Sequence, residues 1–294
     1  MALATVFAGC TKDNTGRLRL IAEDLGGNGS GSKVFVDPTT PNGASWNNGE
    51  TIDLNGSRYS IVKEGSNYYL DVTERPAGQL YALYPATLTT GGNDITVSNN
   101  LANGCAVAIH KLTLDIHDGG HDVILPMAAR VGAEGNTLLF KHLTGCIKLT
   151  ISNTTGSAIT VDTIKVGAID ASGNSVIRKN LTPNGLDWGG GLTWTTATLP
   201  AIPGGEVGET DGNVSALYTG EITLVMISGP TNHATIAAGG SLTLCVPMLA
   251  DDVKIFTVKG YSGSTVIFDK SATLDTPKDI ERNKLYTIPT IELE

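Results

Sequence analysis

The sequence predicts an all-β protein built as β-sandwiches, and three observations carry that reading. Runs rich in Val, Ile, Leu, Thr and Tyr recur about every ten residues. Gly, Asn, Asp and Pro separate them, as turns require. Helical periodicity is almost absent, and no period of similar segments marks a repeat array.

The elements follow in chain order. Asn55-Gly56 and Gly91-Gly92-Asn93-Asp94 read as turns. Leu112, Leu114 and Ile116 alternate with Thr113 and Asp115, which predicts a strand with one face on a core. The cluster His117-Asp118-Gly119-Gly120-His121-Asp122 comes next. Imidazoles and carboxylates this close suit a transition metal, but two His and two Asp without a distant third ligand make a weak site. The favoured reading is a hairpin turn with its polar residues in water, and no metal or cofactor is expected. After Ile124-Leu125-Pro126-Met127-Ala128-Ala129 the run stops in a Gly-rich stretch, 132–136. That places a boundary between a domain at 17–135 and another at 136–294, after a short tether at 1–16. Ile147, Leu149 and Ile151 alternate with Lys148, Thr150 and Ser152. Ile159 and Val161 share a phase that Ile164 and Val166 do not, so a bulge is expected between them. Ile222–Ile227 is apolar on both phases, as in a strand covered on both sides.

Composition bounds the function. With 294 residues, 40% hydrophobic, the chain has room for a large core or two ordinary ones. A net charge of −9 disfavours a sequence-independent nucleic-acid binder. Phosphate-loop, nucleophile-elbow, zinc-protease and dinucleotide motifs are missing. Two glycosidase carboxylates on separate strands would escape such a search, yet the balance favours a non-enzyme. Tyr68, Tyr69, Tyr81, Tyr84, Trp188 and Trp194 could stack on a glycan, but they more naturally plug the ends of a sandwich. Cys105, Cys146 and Cys245 stand far apart; buried free thiols are favoured, and if one bridge forms, Cys146–Cys245 is the preferred pair.

The N-terminus carries an address. Met1–Ala8 is largely apolar, Gly9-Cys10 follows, and Thr11-Lys12-Asp13-Asn14 is polar. This reads as the end of a lipoprotein signal with Cys10 as the lipidated residue. No Lys or Arg precedes the apolar run, which points to a trimmed signal, and the run is far too short to span a bilayer, which takes about 20 residues.

Five blocks in order resemble the Bacteroidales fimbrillin family. They are Ser32–Asp37 with Ser45–Ile52, Leu80–Ala86, Leu125–Ala128, Leu139–Thr144 and Glu281–Pro289. The resemblance implies two transthyretin-like β-sandwiches in tandem and a precursor held by a lipid at the outer membrane. It implies a structural fimbrial subunit or fimbrillin-like adhesin of the cell surface, with other fimbrial subunits and a host or bacterial surface receptor as partners. In such pilins a protease removes the N-terminal strand and a neighbour's strand fills the groove. Arg17–Ala22 is the candidate removable strand, with Leu18 and Leu20 on one phase. Members are cut at an arginine after that strand; this chain has none between Arg19 and Arg58, and Lys33 is the available site. Ile288, Ile291 and Leu293 form the candidate donor strand, with Pro289 suited to an edge. The other reading is a surface lipoprotein that binds glycan or protein ligands without polymerising.

Overall fold

The computed structural model describes residues 16–22, 46, 49–90, 92–99, 105–117, 120–178, 180–181, 218–281 and 283–294. Among them there are 23 β-strands and no helix. The all-β expectation holds.

Seven strands close a barrel: β1 (Arg17–Ala22), β2 (Thr51–Leu54), β3 (Ser57–Glu64), β4 (Asn67–Asp71), β5 (Leu80–Tyr84), β9 (Met127–Val131) and β10 (Thr137–His142). Their order is β1-β10-β9-β5-β2-β3-β4, and β4 pairs back onto β1. The β2–β3 hairpin turns at Asn55-Gly56, both with positive φ, where a turn matched to strand twist needs them.

The remaining strands form three further sheets. Between β5 and β9 the chain leaves the barrel for β6 (Asp94–Asn99), β7 (Cys105–His117) and β8 (Gly120–Asp122). After β10 come β11 (Gly145–Asn153), β12 (Ile159–Val161), β13 (Thr163–Ile169), β14 (Ile177–Arg178), β15 (Asn180–Leu181) and β16 (Tyr218–Thr219). The last are β17 (Ile222–Ile227), β18 (Ala234–Ile236), β19 (Ser241–Met248), β20 (Ala250–Ser262), β21 (Thr265–Ile280), β22 (Leu285–Thr287) and β23 (Ile291–Leu293). A ten-stranded sheet runs β15-β7-β17-β13-β20-β14-β16, with β6 and β8 on β7 and β21 on β20. A second sheet joins β19, β11, β22 and β23, and β12 pairs with β18. The two large sheets touch where β21 meets β11 and β23.

Strand pairing does not follow a cut at 135/136. β10 lies beyond that point yet belongs to the barrel, while β6–β8 lie before it and β7 pairs in parallel with β17. The N-terminal part contains a closed barrel where a β-sandwich was expected, because β1 finds partners on both of its edges. The buried residues of all sheets form one continuous cluster.

Three local expectations change. No bulge joins Val161 to Ile164. The chain changes sheets at Asp162, so each apolar pair faces inward in its own sheet. β17 is buried on one face and half-covered on the other, because Thr223, Val225 and Ile227 lie on the outer side. Cys146 and Cys245 are joined as a disulfide, with Cα atoms 5.9 Å apart, which overturns the free-thiol reading. The β11–β19 register explains it: Cys146 faces Pro247, two residues from Cys245 on the same side.

Candidate functional site: the seat of the first strand

Leu18, Leu20 and Ala22 of β1 point into the barrel, and the two leucines are each 1% exposed. Arg17, Arg19 and Ile21 point outward. The alternation in Arg17–Ala22 produces this arrangement directly, because successive side chains of a strand face opposite sides. Leu18 lies opposite Leu70, and Leu20 lies between Tyr68 on β4 and Leu138 on β10. Burying each leucine contributes about 1.5–3 kcal/mol.

Both edges of β1 are laddered. It runs antiparallel to β4 over Arg17–Leu20 and parallel to β10 over Arg19–Ala22. The Arg19 amide donates to the Asn136 carbonyl at 2.8 Å, and the Val72 amide donates to Gly16 O at 2.9 Å. Gly16 is required at that end, since a Cβ there would collide with the Val72 carbonyl. Withdrawal of β1 would therefore uncover two unpaired edges, on β4 and β10, above a trough lined by Leu70, Leu138 and Tyr68.

A charged clasp holds the entry end. The Arg17 guanidinium meets both oxygens of Glu64, at 2.7 and 2.8 Å, and Asp71 Oδ1 at 2.7 Å. Its Cζ lies over the Tyr69 ring, 5.5 Å from the ring centre. The hydrogen bonds that Arg17 donates to Glu64 and then to Asp71 push its pKa up, and the contact with Glu64 holds that carboxyl below its ordinary value. Arg19 Nη2 donates to Asn67 Oδ1 at 3.2 Å. Ion pairs this exposed add little to stability, but they fix the register and polarity of the strand. Glu64, Asn67 and Asp71 carried no signal in the sequence, since only the β3–β4 turn brings them beside Arg17.

An aromatic cluster packs between β5 and β10 of the barrel. Trp46 is buried edge-on against Tyr84 (4.8 Å) and Phe140 (5.1 Å). Burial, with Glu50 beside it, pushes the Tyr84 hydroxyl well above its ordinary pKa.

The other predicted residues fall elsewhere. Ile288, Ile291 and Leu293 are buried, with β22 and β23 running parallel to β11. Thr154 N and Oγ1 both donate to the Leu293 carbonyl, at 2.9 and 2.7 Å. Cys10, Lys33, Trp188, Trp194, Asp118 and Gly119 lie outside the described residues, as do the side chains of Cys105, His117 and Asp122. β8 pairs antiparallel with the end of β7, but His121 does not face water. It lies opposite Ile116, is fully buried, and its Nε2 accepts from the Cys245 amide at 3.0 Å. Among the described residues, no three His, Cys, Asp or Glu side chains gather as a metal site.

The architecture defines the class first: an all-β chain whose first described strand completes a closed barrel, followed by three further sheets. Among solved structures, the chain is similar to a candidate cell adhesion protein from Bacteroides ovatus, at 14% identity, TM-score 0.46, covering 95% of this chain and 91% of that one. It is also similar to one from Bacteroides fragilis (12%, TM-score 0.41, 95% and 93%) and one from Bacteroides eggerthii (12%, TM-score 0.36, 95% and 86%). No family model matches, and no curated protein matches.

Proposed function

We propose that the chain is a structural, non-enzymatic cell-surface subunit of the fimbrillin type, exported as a lipoprotein through Cys10 and assembled by strand exchange at the seat of β1. One observation carries this reading. β1 is a short N-terminal strand laddered on both edges, with Leu18 and Leu20 in the barrel core. Its loss would leave a groove of the kind that accepts an added strand, with backbone ladders for affinity and alternate pockets for specificity. On this reading the lipid holds the precursor at the outer membrane, and cleavage near Lys33 releases β1. The subunit then joins a fimbrium or adhesin with a surface receptor as its target. The buried Cys146–Cys245 bridge supports export, since such bridges persist in oxidising compartments.

Size-exclusion chromatography of the folded chain before and after proteolytic removal of residues up to Lys33 tests the proposal. The intact chain is expected to exclude an added fluorescent Arg17–Ala22 peptide, and the trimmed chain to co-elute with it. A trimmed chain that takes up no added strand at any concentration would count against strand exchange.

A further inference from the structure

The strand that enters the seat has two sources: the Thr290–Glu294 arm of a second copy, or a strand of another subunit. Resting on the strand-exchange reading, we infer that the seat selects a basic strand from a different subunit and rejects the arm of a second copy. Four features of the molecule lead there.

First, the seat fixes direction and phase: the incoming strand runs antiparallel to β4 and parallel to β10, and it places aliphatic side chains where Leu18 and Leu20 sit. Second, the outer rim of the seat is acidic. Glu64 and Asp71 flank the position of Arg17 and are satisfied by its guanidinium alone among the described ion pairs. When β1 leaves, two carboxylates are left facing each other, and a cation at that position is what relieves them. Third, the arm matches in apolar phase but not in charge. With Ile291 and Leu293 set over Leu18 and Leu20, Thr290 falls where Arg17 stands and Glu292 where Arg19 stands. The arm thus brings no cation to the carboxylate pair and an anion to its rim. Like charges set side by side on a sheet face are destabilising. Fourth, the arm is already occupied at home. Ile291 and Leu293 are buried against β11, and Thr154 holds the Leu293 carbonyl through two hydrogen bonds.

The occupant is therefore an extended segment reading cation, aliphatic, cation or polar, aliphatic, running antiparallel to β4. An assembly built on this seat alternates between different chains and does not grow from copies of this one.

The test uses the full chain, folded first, with a specific protease site placed between Ser30 and Lys33 and cut afterwards. β1 then stays seated through noncovalent contacts and carries a fluorophore at its N-terminus. Release is followed by anisotropy against three unlabelled peptides: Arg17–Ala22, the same peptide with both arginines replaced by glutamate, and Thr290–Glu294. The Arg17–Ala22 peptide is expected to reach half-release at a concentration about tenfold below either acidic peptide, with the gap shrinking in about 1 M salt. The order should reverse in the Glu64→Lys, Asp71→Lys chain, where both substituted side chains lie at exposed strand ends. Equal potency of the basic and acidic peptides would overturn the charge selectivity while leaving strand exchange standing. Release by Thr290–Glu294 as efficient as by Arg17–Ala22 would overturn the exclusion of a second copy. No release by any peptide would overturn the strand-exchange reading itself.

Discussion

Replacing Leu20 by Ala removes a side chain that is 1% exposed and sits between Tyr68 on β4 and Leu138 on β10. Both flanking strands are held by further partners, so they cannot close on the space left behind. Leucine-to-alanine changes at such sites cost about 2.7–5 kcal/mol, through lost transfer energy and an unfilled cavity. A value of about 3 kcal/mol is expected for the intact chain, read as a lower urea midpoint by circular dichroism at unchanged slope. Ile21→Ala is the internal control. Its side chain is half-buried on the outer face of the same strand, and its loss should cost less than about 1 kcal/mol. In the nicked chain, the Leu20→Ala strand should be displaced about two orders of magnitude more readily, since each 1.4 kcal/mol is tenfold. If the two substitutions cost the same, β1 does not fill the barrel core and the argument for a seat falls with it.

Two further outcomes follow from the clasp and the disulfide. The Glu64 carboxyl has a pKa lowered below 4.5 in the folded chain, chiefly through Arg17, so its contribution is present above that value and lost as the pH falls through the lowered one. By NMR the Glu64 carboxyl should therefore titrate below its ordinary range in the intact chain and move back up in Arg17→Gln, and an ordinary titration in the intact chain would refute the clasp. Cys146 and Cys245 are 99 residues apart in sequence, for which loop closure predicts about 4.7 kcal/mol, against the about 2–4 kcal/mol that native bridges typically contribute. The Cys146→Ser, Cys245→Ser chain should melt lower than the oxidised chain and match the reduced one, while alkylation of either thiol in the oxidised chain would contradict the bridge.

Local pattern revealed more than long-range pairing. The strands with clean alternation, Arg17–Ala22, Leu112–Ile116 and Ile147–Ile151, are strands with the inward faces read from their leucines and isoleucines. Turn chemistry was equally legible at Asn55-Gly56, where backbone with positive φ has to be accommodated. What could not be read was which strand pairs with which. A strand that pairs with a distant partner carries no mark of it, so the excursion of β6–β8 and the return of β10 were invisible. The disulfide was hidden for the same reason, because a separation of 99 residues becomes a short cross-strand distance only after the register is set. At the seat, Leu18 and Leu20 were legible as a face. The carboxylates that grip Arg17 were not, since they reach it across a hairpin. His121 escaped because a polar side chain in a turn-like sequence reads as solvated, whereas its cross-strand position beside Ile116 turns it inward.

The parallel pairing of β1 with β10 sets the order in which the barrel can close. β1 leads, but the strand that completes its housing, Thr137–His142, follows more than a hundred residues later. Its partner β4 arrives early, so one edge is satisfied soon and the other must wait. Closing so long a loop is slow compared with making local hairpins. During that interval β1 is the least committed strand of the emerging protein, held near the membrane if Cys10 carries its lipid. β1 thus precedes by more than a hundred residues the strand that locks its second edge.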